Sequence, residues 1–135
     1  MKISRSIDVE ETIRAILSEY LNAYCKPLPA DFSTPCILIT ASSGSSESTN
    51  TGKGKVDSFT VVLDSRDELA ETAMEYLRNA LAVLEASTGT DIAHVATNSL
   101  YYWGSDPVRP DLSMYSATLR VTAHREELDI EQIGG

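Results

Sequence analysis

MYSATLRVTAHRE, residues 114–126, alternates apolar and polar side chains almost without a break. Tyr115, Ala117, Leu119, Val121 and Ala123 point one way, and Ser116, Thr118, Arg120, Thr122 and His124 the other. A period of two with one wettable side is the pattern of an antiparallel strand that buries one face and hydrates the other. Such a strand needs partners to pair with and an apolar layer to cover its dry side.

The partners lie upstream. Ile92–Trp103 reads as a strand ending in the aromatic group Tyr101-Tyr102-Trp103, and GSDPVRPDLS (104–113) is a turn-rich connection to residue 114. Val56–Leu63 puts Phe59, Val61 and Leu63 on one face, with Ser58 and Thr60 on the other. Cys36–Thr40 is a short apolar run rich in branched residues. ASSGSSESTNTGKGK (41–55) separates the last two, so they form a hairpin with a long loop over 42–55.

Two helices supply the cover. Over residues 8–24, Val9, Ile13, Ile16, Leu17, Tyr20, Leu21 and Tyr24 recur every three or four positions. Ser6 or Asp8 caps this helix, and Asp8, Glu10 and Glu11 suit its dipole. Three prolines (Pro27, Pro29, Pro35) then enforce an extended connector. A second helix over 66–86 carries Leu69, Ala73, Met74, Leu77, Leu81 and Leu84. It opens on a capping box, Ser65 with Glu68, and stops near Gly89. The order α-β-β-α-β-β predicts an α+β fold: a four-stranded antiparallel sheet with both helices on one face. The 135 residues suit one domain, 1–135, with residues 128–135 as a frayed tail.

Composition narrows function. Apolar residues make up 42% of the chain, enough for one core. With 20 acidic and 11 basic side chains the net charge is −9, which argues against a general nucleic-acid binder. It remains compatible with a wall past which DNA moves without sticking. MKISRSIDVEE lacks the apolar region of a secretory signal, and no apolar run approaches the roughly 20 residues of a membrane span. A soluble protein inside the cell is therefore expected.

No motif carries catalytic chemistry. Cys25 and Cys36 lack CxxC spacing and read as buried free thiols, with a disulfide as the alternative. His94 and His124 have no local metal partners, although their strands should pair. The tip of 41–55 resembles a phosphate-binding loop only superficially. Gly54 follows Lys53 where Ser or Thr is needed, Glu47 stands where the first glycine belongs, and a strand follows in place of a helix. None of the loop serines lies in GxSxG. The expectation is a non-enzyme with no catalytic residue, cofactor or metal.

The whole pattern resembles the tail terminator and head–tail joining proteins of long-tailed bacteriophages, also described as tail completion or minor capsid proteins. The resemblance rests on VEETIRAILSEYL, on PLPADFSTPCILI, on the strand–cap–helix run FTVVLDSRDELAETAMEYLRNAL, and on the closing strand YSATLRVTAHRE. It is one of pattern and length over nearly the whole chain. It implies a structural subunit of a homo-oligomeric ring, commonly hexameric, that caps the tail tube and joins the capsid connector. DNA would pass through its channel without specific binding. The protein would be made in the host cytoplasm and end in the neck of the virion, with no membrane role. The hairpin would be an arm that orders on a neighbour. The expected assembly residues are Gly44, Glu47, Asn50, Gly52, Lys53, Gly54 and Lys55 on the arm, with Tyr102, Trp103 and Arg109 elsewhere. A small-molecule-binding or regulatory α+β module, its pocket framed by the aromatic trio and the 104–113 loop, is the alternative, and a small enzyme a third reading.

Overall fold

The chain runs β1 (Lys2–Arg5), α1 (Val9–Leu17), β2 (Ala23–Cys25), β3 (Cys36–Ser48), β4 (Lys55–Asp67), α2 (Ala70–Ala86), β5 (Ile92–Ser105), β6 (Ser113–His124) and β7 (Glu126–Asp129), then a 3-10 turn over Ile130–Gln132. The computed structural model describes residues 1–48, 55–89 and 91–133, the side chains of 43, 45–48, 55 and 100–103 excepted. Among the described residues the protein is a mixed α+β fold with two helices, a five-stranded sheet in the order β2-β3-β4-β6-β5, and a two-stranded ribbon of β1 and β7.

The four long strands and two helices follow the expected order, but the sheet is neither four-stranded nor purely antiparallel. β2 adds a parallel pairing at one edge, Ala23 with Ile37 and Cys25 with Ile39. Residues 126–129 pair with the N-terminal strand, Lys2 with Asp129 and Arg5 with Glu126, so the first two residues of the 128–135 segment lie in a ribbon. Opposite charges line this ribbon: Lys2 lies 3.2 Å from Asp129, and Arg5 bonds Glu126. Four-residue strands show too little periodicity to stand out in a sequence.

One face of the sheet is dry. Ile37, Ile39, Val61, Leu63, Ala117, Leu119, Val121 and Ala123 are buried in a single core with Val9, Ile13 and Leu17 of α1 and Leu77, Ala80, Leu81 and Leu84 of α2. Both helices thus cover the same side, as the alternation in residues 114–126 requires. The register matches that pattern, with Val61 opposite Leu119 and Leu63 opposite Ala117. The other face carries Thr40, Thr60, Ser116, Thr118 and Thr122, all half-buried, and is covered by neither helix.

Both helices are shorter than their patterns predict. Asp8 caps α1 by accepting from the Glu11 N–H, while Ser6 turns away to donate to Asp57 at 2.5 Å. The helix stops at Leu17, well before Tyr24, because the next turn is held from outside. The Asn22 N–H donates to the Tyr76 hydroxyl at 2.5 Å, and its side-chain amide donates to Ser33 O at 2.8 Å. Tyr20 is left exposed and Tyr24 becomes part of β2. For α2, the Ser65–Glu68 capping box does not form. Ser65 stays in β4, opposite Ile37 and Tyr115, with its hydroxyl directed to Tyr115 O. No side chain caps the helix: Leu69 is its N-cap residue, and Asp67 accepts the Leu69 N–H at 3.0 Å just ahead of the first turn.

The 41–55 stretch is also shorter as a loop than expected. β3 continues to Ser48 and β4 begins at Lys55, so much of the expected 42–55 loop is paired strand. A register shift between Ala41 and Ser43 marks a bulge, which moves Gly44 onto the face of Phe59.

Candidate assembly interface

The residues expected to mediate assembly fall into two groups at opposite ends of the sheet. Gly44 and Glu47 lie in β3, opposite Phe59 and Val56, and Lys55 opens β4 opposite Ser48. Gly44 is required there by close approach, since a Cβ at this position would lie 2.9 Å from the Phe59 ring. Asn50, Gly52, Lys53 and Gly54 lie outside the described residues. Tyr102 and Trp103 pair with Ser116 and Tyr115, and Ser116 in turn lies opposite Asp64. At about 3.3 Å per residue, Asp64 is about 26 Å along β4 from Val56. Only Arg109 joins Tyr102 and Trp103 at that far end. Among the described residues, the expected positions therefore fall at two separate ends of the sheet.

Arg109 belongs to the connection between β5 and β6, which folds back over the sheet. Its guanidinium lies 5.7 Å from the centre of the Phe32 ring and bonds Asp111 at 2.9 Å. Asp106 anchors this connection. Its carboxylate accepts from the N–H groups of Val108 (2.8 Å) and Arg109 (3.0 Å) and from Arg66 Nε (2.6 Å). Arg66 and Asp106 are both buried, and Arg66 Nη1 is enclosed with no hydrogen-bond partner. Burial works to raise the Asp106 pKa, but the Arg109 N–H and the Arg66 guanidinium outweigh it and hold the group below its ordinary value of 3.8. Cys36, opposite Arg66, is buried, and that burial pushes its thiol up to about 11. Both cysteines are free thiols. Among the described residues no group of three or more metal-ligating side chains converges, and no helix is long and apolar enough to cross a membrane.

The edges of the large sheet are open. On one side, β2 pairs with β3 only along Ile37–Ile39, and Glu10 then accepts the Ala41 N–H at 2.7 Å. Beyond that point, residues 42–48 have no partner strand on their outer side among the described residues. On the other side, β5 pairs only with β6 among the described residues. Open edges invite pairing with another chain.

A cleft of about 620 Å³ lies near the hairpin end, between α1 and the ribbon. Ile7, Ala15 and Ile16 give it an apolar floor, and Asp8, Glu11, Glu19, Asp91 and Glu126 stand around it. Its two cations are matched within the chain: Arg5 bonds Glu126, and Arg125 Nε lies 3.6 Å from the buried Asp57. Glu11 is likewise held by Arg14. Glu19 and Asp91 have no ion pair among the described residues. A second, smaller cleft of about 420 Å³ lies beside α2 at Glu75, Arg78 and Thr97.

Sequence reasoning missed the first cleft because its walls come from β1, β7 and the residue before β5, elements too short or too far apart to signal together. The matched charges of KISR and EELD were the available clue. The Asp106 anchor also had a signal, since Asp-Pro initiates turns in which the carboxylate accepts following N–H groups. No protein-family model matches the chain, and no curated protein matches it.

Proposed function

We propose that this chain is a structural virion-assembly protein of a phage or prophage, a ring subunit of the tail terminator or head–tail joining kind. The observation that carries this reading is the pair of open edges on one sheet. The strands β3, β4, β6 and β5 alternate in direction, so β3 and β5 run opposite ways. Rotating a copy about an axis along the strands lays β5 of one subunit against β3 of the next as an antiparallel pair. Head-to-tail contacts of this kind close into rings when the rotation permits. The bulkier helix layer takes the larger radius, and the hydroxyl-rich face lines the channel. A wall of Ser and Thr offers DNA phosphates few cations, which suits passage without specific binding.

In this reading the ring, commonly hexameric, caps the tail tube, meets the connector, assembles in the host cytoplasm and stays in the neck of the virion. It performs no catalysis and needs no cofactor. Negative-stain microscopy and light scattering across a concentration series, with and without tail-tube protein, test it. Closed rings are expected, with amides of 42–48 and of β5 gaining protection from hydrogen exchange on assembly. A strictly monomeric chain under all these conditions overturns the reading, and a metabolite-induced melting shift of that monomer would favour the small-molecule module instead.

A further inference from the structure

We propose that the contact between subunits has one defined register, in which Gly44 of one copy pairs with Val95 of the next and the Phe59 ring packs beside that pair. This inference rests on the ring reading and names the residues that join its two edges.

Pairing across the sheet sets the levels. Gly44 lies opposite Phe59, Phe59 opposite Val121, and Val121 opposite Val95. The same count puts Ser45 level with His94 and Ser43 level with Ala96. A ring is closed by rotation without translation, so with its axis along the strands each level of one edge meets the same level of the next. The two edges also change character together. Toward the 104–113 connection, β2 occupies residues 37–39 of β3, and Glu10 takes the Ala41 N–H. Across from them β5 is irregular, with register shifts between Thr97 and Ser99 and between Ser99 and Tyr102. Irregularities of this kind blunt an edge against pairing. Toward the hairpin, residues 43–48 keep an unbroken register with β4 and have no outer partner strand among the described residues. Residues 94–97 of β5 are unbroken at the matching levels.

Backbone direction selects the pair within this window. In an antiparallel ladder a residue turns its N–H and C=O to one side, and successive residues alternate. The His124 N–H donates to Asp91 O, so His124, Thr122 and Arg120 face β5 while Val121 faces β4. Val95, opposite Val121, therefore turns its donor and acceptor away from β6. Phe59 directs its own groups to Val121, so Gly44, opposite Phe59, turns outward from β3. A doubly hydrogen-bonded antiparallel pair needs this arrangement: one level, with both residues facing out of their edges. Side chains agree with it. Phe59 and Val95 are half-buried on the dry face, packed against the core. Gly44 is exposed, and a Cβ there would lie 2.9 Å from the Phe59 ring, so the ring reaches over the glycine toward the open edge. Pairing sets the neighbour's Val95 beside that ring and buries apolar surface that one subunit leaves at both edges.

Cysteine pairs read the register. In a Cys25→Ser background, Ser45→Cys with His94→Cys should give disulfides between subunits under mild oxidation. These positions fall in the non-hydrogen-bonded pair next to Gly44 and Val95, where Cβ atoms come within about 4.5–5.5 Å. Ser43→Cys with His94→Cys, out of step along the strand, should link at a small fraction of that yield. Val95→Pro removes the outward N–H without breaking a bond to β6, so the subunit should stay folded while self-association weakens by about tenfold or more. Disulfides that favour Ser43→Cys over Ser45→Cys overturn the inference, as does unchanged ring affinity in folded Val95→Pro; in both cases the ring reading survives. The disulfides decide the register whether or not Val95→Pro folds. Linked dimers as the main product of Ser45→Cys alone mean that β3 pairs with its own copy, and overturn both readings. So does a wild-type chain that never forms rings.

Discussion

Arg66 and Asp106 lie far apart in the chain, yet together they pin the β5–β6 connection to the sheet. Both are enclosed, so removing one partner leaves a buried charge uncompensated, a loss of about 3–5 kcal/mol. Asp106→Asn should therefore lower the urea midpoint well beyond the effect of a surface change. The pH dependence follows from the lowered Asp106 pKa. A carboxylate whose folded pKa is depressed contributes fully above its unfolded value near 3.8, and loses that contribution as pH falls through the folded value. The gap between wild type and Asp106→Asn should be full at pH 7 and shrink below about pH 4, which urea titrations at the two pH values would check. The cysteines give a second prediction. Burial raises both thiols, and Cys36 reaches about 11. Thiolate is the reactive form, so alkylation at pH 8 should modify half-exposed Cys25 first and leave Cys36 untouched until the protein unfolds. Rapid labelling of Cys36 in the folded protein would contradict its placement.

Among the elements, the junction of β4 and α2 shows two local signals in competition. DSRDE reads as a helix start, but Ser65, Arg66 and Asp67 each have a partner in the sheet or against the returning connection. Pairing across two neighbouring strands outweighs one capping box, whose contribution is about 1 kcal/mol. The helix therefore begins at Ala70, after Leu69, whose N–H is accepted by the Asp67 carboxylate. Glu68→Ala should change stability by less than about 0.5 kcal/mol, because Glu68 is exposed and makes no cap. Asp67→Ala should cost about 1 kcal/mol or more, because it strips the Leu69 N–H of its acceptor at a buried site. Thermal melts of the two variants decide it, and equal losses would restore the capping box. The same competition ends α1 at Leu17, where Asn22 and Tyr76 draw the chain into β2.

For the whole molecule, the long β3–β4 hairpin is the feature to test. Its strands are paired up to Ser48 and Lys55, so only 49–54 can be removed without cutting the sheet. Replacing 49–54 with Asn-Gly, a turn suited to a two-residue hairpin, should leave the melting temperature within a few degrees of wild type. In the assembly reading the same variant should lose rings. A shortened chain that still forms rings and still terminates tails removes the hairpin from the mechanism. Removing 43–54, by contrast, takes half of β3 with it and should unfold the edge of the sheet.

Side-chain periodicity alone determined the α+β class, the long strands, the shared dry face and the two covering helices, because local alternation records which side of an element is buried. Residues 114–126 kept their predicted faces throughout. The limits of the helices, the β1–β7 ribbon, the short parallel β2 and the Arg66–Asp106 anchor were decided only in three dimensions. Each depends on partners distant in the chain, whose pairing energy no local pattern contains. The open edges belong to this second class as well: a strand's sequence encodes how it can pair, and only the assembled sheet leaves residues 42–48 of β3 and the outer side of β5 without a neighbour among the described residues.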